Sequence, residues 1–332
     1  MKKILRKICI LLLVAGATGC RPSGRYIAVT GYAQGGTYTV KMNLDGVRER
    51  PEAIRDHIDS LLTLIDTTLS GYNKGSMLSR FNRGDSIVPN AMFRDIFTAA
   101  KKYRDETDGA VDVAAAPLFD AWGFGFSRDS FPSDETVRLL QETCSMDFIP
   151  QDLTAANGQK LNYNAIAQGY SCDVIAAYLY SLGIRDMLVD IGEIYCDGLN
   201  PTGRPWTLAV DKPVDGNNDP GAQIQGKWQS DGGPCGIVTS GNYRKFYIRD
   251  GKKYAHTVDP RTGRPVEHNL LSATVKARTA MDADAYATYC MVLGLEEAKA
   301  FLSGRGDLEG YLIYEEDGQM KTWASEGFAL VD

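Results

Sequence analysis

Apolar positions along this chain change their period several times, and each change marks a new element. Gly36 to Met42 alternates between polar and apolar residues, the period of a half-buried strand. Pro51 to Leu69 then sets Ile54, Ile58, Leu61, Leu62, Ile65 and Leu69 on one stripe, which predicts an amphipathic helix. A second helix is predicted from about Met92 to Thr107, stopped by Asp108-Gly109, and a third from Ser133. A long helix fills Ala165 to Leu182 before Gly183, and Met187 to Ile194 reads as a strand. Asp211 to Gly233 is polar, rich in glycine and aperiodic, so it reads as a surface excursion. Strands and helices are interspersed without an internal repeat, so the chain mixes α and β elements.

Two β-rich runs between Tyr243 and Val258 flank Asp250-Gly251, the signal of a two-residue hairpin turn. That turn would pair Arg249 with Lys252, Lys245 with His256 and Tyr243 with Val258. Extended further, the ladder would bring Thr239-Ser240-Gly241 beside Asp259-Pro260-Arg261, itself a turn sequence. His256 is a titratable group at that end, which is the reason to look for chemistry there. Downstream, Thr279-Ala280-Met281-Asp282 matches a capping box and opens a helix that ends at Leu293-Gly294. Asp284 and Thr288 project from one face of it. Their oxygens suit Mg²⁺, with positions left for water and phosphate, although a helix dipole and a backbone hydrogen bond would explain the same two residues. Asn164 is a suitable N-cap for the Ala165–Leu182 helix, whose first-turn amides could face an anion. Gly169 inside that helix costs about 1 kcal/mol against Ala, so a ligand or another backbone should approach it closely. Neither a Walker loop nor a GxGxxG fingerprint is present.

The 332 residues are 44% hydrophobic, with 36 basic and 42 acidic side chains. This is a globular composition, and it excludes a disordered, collagen-like or multi-span membrane protein. A net charge of −6 gives no electrostatic footprint for nucleic acid. The three histidines, His57, His256 and His268, lack metal-ligand spacing, so a histidine-built zinc site is not expected. His57 lies beside acids on the Pro51–Leu69 helix and reads as a solvated or packed residue.

Lys2, Lys3, Arg6 and Lys7 precede a short apolar core from Ile8 to Ala17, the form of a cleaved secretory signal over residues 1–19. Ala17-Thr18-Gly19-Cys20 resembles the lipobox of bacterial lipoproteins. Cys20 would then be a lipidated N-terminus, residues 20–28 a tether, and residues 29–332 a folded domain on the periplasmic side of the cell envelope. Cleavage removes four bases and no acid, taking the charge from −6 to −10, so the lipid would have to hold the membrane. Cys144, Cys172, Cys196, Cys235 and Cys290 remain, without a CxxC motif, and read as buried thiols.

One ordered set of motifs adds to this reading. Gly36-Thr37-Tyr38 is followed by Leu69-Ser70-Gly71-Tyr72, Ser79-Arg80-Phe81-Asn82 and Asp108-Gly109-Ala110-Val111-Asp112. Pro117-Leu118, Trp122-Gly123-Phe124-Gly125, Ala165-Ile166-Ala167-Gln168-Gly169-Tyr170 and Asp190-Ile191-Gly192-Glu193-Ile194 come next. Thr239-Ser240-Gly241-Asn242-Tyr243-Arg244, the run from His256 to Gly263, and Asp284 to Thr288 close it. In this order the motifs resemble the ApbE-type flavin transferases, the FAD:protein FMN transferases, from about Gly35 to Gly294.

The resemblance implies a single α+β domain of the T-fold type that binds FAD and Mg²⁺. It further implies transfer of the FMN moiety to a Thr or Ser hydroxyl of a partner protein, with release of AMP. The implied partners are membrane subunits of sodium-pumping NADH:quinone reductase or Rnf-type complexes. Carried over by position, Tyr72, Ala110, Val111, Asp112, Asn162, Gln168 and Val258 would contact FAD. The Ala165 carbonyl, Asp284 and Thr288 would hold the metal, and His256 stands at the catalytic histidine. Three positions depart from the pattern: Asn162 replaces a common Asp, Gly35 a flavin-touching Met, and Ala287 an Asp before the metal-binding Thr. Two other functions fit the same residues less fully: an Mg²⁺-dependent FAD pyrophosphatase giving FMN and AMP, and a lipid-anchored flavin-binding protein without chemistry.

Overall fold

The computed structural model describes residues 24–126, 131–154, 156, 158–217, 219, 221–243, 246–249 and 251–331. The expected signal and Cys20 lie outside the described residues. The chain opens with an antiparallel pair, β1 (Tyr26–Ala33) and β2 (Gly36–Asn43). Helices α1 (Pro51–Leu69), α2 (Met77–Asn82), α3 (Ala91–Glu106), α4 (Ala116–Ala121), α5 (Asp134–Thr143) and α6 (Ala167–Ser181) follow. Strands then run from β3 (Met187–Asp190) through β4 (Ile194–Asp197), β5 (Thr207–Asp211), β6 (Ile224–Gln229), β7 (Cys235–Gly241) and β8 (Phe246–Arg249). β9 (Lys252–Ala255), β10 (Val258–Asp259), β11 (Arg264–Pro265) and β12 (Leu270–Ala277) complete that series. The last elements are α7 (Ala280–Leu293), α8 (Leu295–Ser303), β13 (Glu309–Glu316), β14 (Gln319–Ala324) and β15 (Leu330–Val331).

An eight-stranded sheet, ordered β1-β2-β3-β4-β7-β12-β13-β14, is the frame, and the pairs along it are antiparallel. Strand alternation gives this sheet two apolar faces: Met187 and Val189 enter one core while Leu188 enters the other. The first core takes the buried stripe of α1 (Ile54, Ile58, Leu62, Ile65, Leu69) together with side chains of α3, α6 and α7. On the opposite face a three-stranded sheet, β15-β6-β5, buries Trp206, Leu208, Trp228 and Phe328. The fold is therefore α+β, as the family resemblance implies. Cys144, Cys172, Cys196, Cys235 and Cys290 are free thiols, and Cys196 faces Cys235 across β4 and β7 with 3.7 Å between sulfurs.

The elements depart from the sequence reading in five places. β1 begins at Tyr26, so residues 26–28 belong to the sheet rather than to a tether. Met187 to Ile194 is not one strand: Gly192, at φ +92°, reverses the chain, and its amide bonds the Asp190 carboxylate at 3.1 Å, separating β3 from β4. The Asp211–Gly233 stretch contains β6, which pairs on both sides because Trp228 is buried against Phe328. The β8–β9 ladder matches Arg249 with Lys252 and runs to Phe246 and Ala255 among the described residues; Lys245, expected opposite His256, lies outside them, and Tyr243 sits in a turn rather than opposite Val258. β7 pairs instead with β12, setting Ser240 opposite Ala273, and Val258 pairs with Pro265. Finally, α6 starts at Ala167, and its N-cap is Ile166 rather than Asn164.

Gly169 is explained by this packing. A Cβ there would lie 2.4 Å from the Ala280 carbonyl oxygen, so the start of α7 presses on the backbone of α6. Gly169→Ala should destabilise the fold by about 1–3 kcal/mol, overpacking outweighing the better helix propensity of Ala. Thermal denaturation checks this; an unchanged or higher melting temperature would contradict it.

Candidate active site

The site grows from the ends of several elements. Asp108 (φ +49°) and Gly109 (φ +76°) turn the chain after α3. The buried Thr107 hydroxyl donates to the Tyr103 carbonyl at 2.7 Å and accepts the Val111 amide at 3.0 Å, which fixes Ala110 and Val111 behind the turn. Asp112 caps the short 3-10 turn that follows, its carboxylate accepting the amides of Ala114 at 2.8 Å and Met146 at 3.4 Å. Burial raises its carboxyl above the ordinary range, while those amides and Arg104 pull it back. Asn82 clamps Leu161 with two hydrogen bonds of 2.8 Å, and the Asn162 amide reaches the Val113 carbonyl at 2.8 Å. The Asn162 side-chain oxygen accepts the Asn164 amide at 2.9 Å, a turn bond that also explains why Asn164 does not cap α6.

These segments wall an open cleft of roughly 770 Å³, solvent at its mouth included. Ala110, Val111, Asp112, Asn162, Ala165, His256, Val258 and Thr288 all line it. Tyr72 stands outside the wall, 62% exposed, edge-on to Phe126 and accepting a 3.3 Å hydrogen bond from the cleft residue Asn164. Gln168 is turned to the β3–β4 reversal, its amide donating to the Ile191 carbonyl at 3.1 Å. Asp284 is buried one helical turn before Thr288 and accepts the Gly169 amide at 3.1 Å. The cleft also takes Phe119, Phe124, Ser240, Thr257, Met291 and Val292, which sequence reasoning did not assign to it. Met291 and Val292 follow Thr288 at the spacing of one helix face, a signal that could have found them.

His256 is half-buried at the foot of β9, edge-on to Phe124. The next residue, Thr257, donates to the Asn242 side chain at 2.7 Å, tying this strand to the segment after β7 that carries Ser240. Asp259 binds the Arg261 guanidinium at 3.0 Å, and the Trp122 indole donates to the Gly263 carbonyl at 2.7 Å, so the loop beyond His256 is anchored on α4. Ser240 pairs with Ala273 of β12 rather than in the extended ladder expected from the sequence, yet Ser240 and His256 both line the cleft. His57 lies against Tyr178, the rings tilted with centroids 4.1 Å apart, and is not among the residues that line the cleft.

Burial, reinforced by the nearby charge of Asp173, pushes the Asp284 carboxyl well above its ordinary range, against the pull of the Gly169 amide. A buried carboxylate with one amide partner suits a counter-cation. Among the described residues no three His, Cys, Asp or Glu side chains form a metal cluster. The oxygen donors these residues could offer a metal are the Asp284 carboxylate, the Thr288 hydroxyl and the Ala165 carbonyl, hard ligands of the kind that suit a divalent cation.

A family model described as the ApbE family matches residues 34–312. The chain belongs to the ApbE family. A FAD:protein FMN transferase of Escherichia coli K12 is 36% identical over 298 residues, covering 84% of this chain and 82% of the relative. One from Vibrio cholerae is 32% identical over 339 residues, 99% of this chain and 98% of the relative. The solved flavin transferase ApbE from Vibrio cholerae superposes with a TM-score of 0.77 at 31% identity, covering 91% of this chain and 97% of that one. The apo flavinyl transferase ApbE of Pseudomonas stutzeri gives 0.79 at 32% identity, over 91% and 95%.

On this ApbE frame the three departures have defined places. Gly35 sits at φ +84° in the β1–β2 turn, where only a residue free to adopt a left-handed backbone is unstrained. Asn162 is buried and keeps a side-chain acceptor for the Asn164 amide. Ala287 is fully buried in α7, so the carboxylate on offer from that helix turn is Asp284.

Proposed function

We propose that this protein transfers the FMN moiety of FAD, with Mg²⁺, to a Thr or Ser hydroxyl of a partner protein and releases AMP. The observation that carries this is the meeting of His256, Thr288 and Ala165 with Ala110–Asp112, Asn162 and Val258 in one cleft. In the reaction a partner hydroxyl attacks the FMN-side phosphorus, the new P–O ester forms, the pyrophosphate bond breaks and AMP departs. His256 takes the hydroxyl proton, a role for which imidazole is suited at neutral pH. Ala110, Val111, Asp112, Asn162 and Val258 bind the dinucleotide along the cleft. Tyr72 and Gln168 act from its edges, and Asp112 contributes through its backbone, because its carboxylate is occupied by amides. Asp284, Thr288 and the Ala165 carbonyl hold Mg²⁺, which supplies charge neutralisation at the phosphates when bound. The flavin acceptor fits a membrane subunit of an NADH:quinone reductase or an Rnf-type complex.

Following FAD and AMP by chromatography, with and without a purified acceptor domain, tests this reading. AMP should accumulate only with the acceptor. Equal AMP and free FMN without acceptor would make the protein a pyrophosphatase, and unconsumed FAD would make it a carrier.

The same proposal places the protein on the cell envelope through a lipid on Cys20. Among the described residues no helix is long and apolar enough to cross a membrane. Cys20→Ser should move the protein from the membrane to the soluble fraction on ultracentrifugation. Retention of the variant in the membrane would remove the lipid anchor.

A further inference from the structure

We propose that Asp173 is a positioning residue for the metal-binding turn of α7, gripping its first two amides so that the buried Asp284 stays aligned with Thr288, which lines the cleft. The inference rests on the reading of Asp284 and Thr288 as Mg²⁺ ligands. Asp173 lies on α6 and reaches across to the neighbouring helix, where its carboxylate oxygens accept the Ala280 amide at 2.8 Å and the Met281 amide at 2.9 Å. In the opposite direction, Asp284 of α7 accepts the Gly169 amide of α6 at 3.1 Å. The two helices thus exchange carboxylates at their starts, and one of those carboxylates is the proposed ligand.

This contact is not needed merely to begin α7. Thr279 already caps it, its hydroxyl accepting the Asp282 amide at 3.0 Å. Asp173 satisfies two further orphan donors and adds direction, since both of its oxygens are committed. Steric stops complete the clamp. A Cβ on Gly169 would lie 2.4 Å from the Ala280 oxygen, and one on Gly236 of β7 would lie 2.2 Å from the Ala280 Cα. The first turn of α7 is therefore confined by α6 and β7 backbone on two sides and held by Asp173. Groups that orient a metal ligand commonly govern metal affinity by 10–100-fold.

The test is calorimetric titration of the full mature chain with Mg²⁺ for wild type, Asp173→Asn, Asp282→Asn and Asp284→Ala. Asp173→Asn keeps the volume but turns one acceptor into a donor facing an amide. Its Mg²⁺ Kd should rise roughly 10–100-fold, while kcat at saturating Mg²⁺ stays close to wild type. Asp282→Asn perturbs the same turn on the side held by Lys102 and Tyr103, and it should leave the Kd unchanged. Equal weakening by both variants, or an unchanged Kd in Asp173→Asn, would overturn the positioning role. Wild type that binds no Mg²⁺, or binding that survives Asp284→Ala, would overturn the metal reading beneath it. Should Asp173→Asn fail to fold, hydrogen exchange on wild type decides: Mg²⁺ should slow the Ala280 and Met281 amides, and unchanged exchange would overturn the proposal.

Discussion

Asp284→Ala should lower FMN transfer in Mg²⁺ by about 10³-fold or more. Metal stabilisation of phosphoryl charge is worth several kcal/mol, and each 1.36 kcal/mol is tenfold in rate. The carboxylate is buried, bonded to a single amide at 3.1 Å and one turn from a hydroxyl that opens on the cleft. Removing it deletes the only negative charge proposed for the metal, while the cleft walls that hold the dinucleotide remain. FAD affinity without Mg²⁺ should therefore change little, whereas the Mg²⁺ dependence of FAD binding should vanish. Steady-state transfer at several Mg²⁺ concentrations, beside fluorescence titration with FAD, gives both quantities. Unchanged turnover with unchanged metal dependence would take Asp284 out of the site. Asp284→Asn helps to separate chemistry from packing, because it keeps the volume and the oxygen that accepts the Gly169 amide.

His256→Ala should cost roughly 10²–10⁴-fold in the rate of transfer while leaving FAD affinity near that of the wild type. A base acts on the incoming hydroxyl, so its loss appears in the chemical step rather than in ground-state binding. The local structure supports that separation: Val258 and Thr257 have pairings of their own, with Pro265 and Asn242. The variant's remaining rate should climb with pH as the hydroxyl ionises without help. Single-turnover transfer across neutral pH, measured with FAD affinity, checks the expectation. Parallel loss of binding and transfer would make His256 a wall of the cleft and put the base elsewhere.

Sequence alone reached α1, because six large aliphatic residues recur on its stripe, and α7, because Thr279 and Gly294 bracket it. Local turn chemistry likewise gave the β8–β9 hairpin its turn and first pair. Long-range pairing was less legible. Ser240 and Gly241 pair with β12, some thirty residues further along the chain, rather than with the Asp259-Pro260-Arg261 turn. β6 was hidden because its pattern, Ile-Gln-Gly-Lys-Trp-Gln, has one large buried anchor, Trp228, and finds its partners only in the fold. Within the site, eight of the residues carried over from the family motifs do line the cleft, but Tyr72, Gln168 and Asp284 do not. Their placement depends on side-chain hydrogen bonds to Asn164, Ile191 and Gly169, which no periodicity encodes. Phe119 is not singled out by the sequence, and Phe124 enters only within its motif, for a related reason: an aromatic beside a buried tryptophan reads as core until the cleft is seen.

Intact mass spectrometry of an acceptor domain after incubation with the protein, FAD and Mg²⁺ tests flavin transfer most directly. The acceptor should gain the mass of one FMN less water, with AMP formed in equal amount, and should gain nothing when its acceptor Thr is replaced by Val. An acceptor of unchanged mass beside free FMN and AMP, or beside intact FAD, would contradict the transferase function.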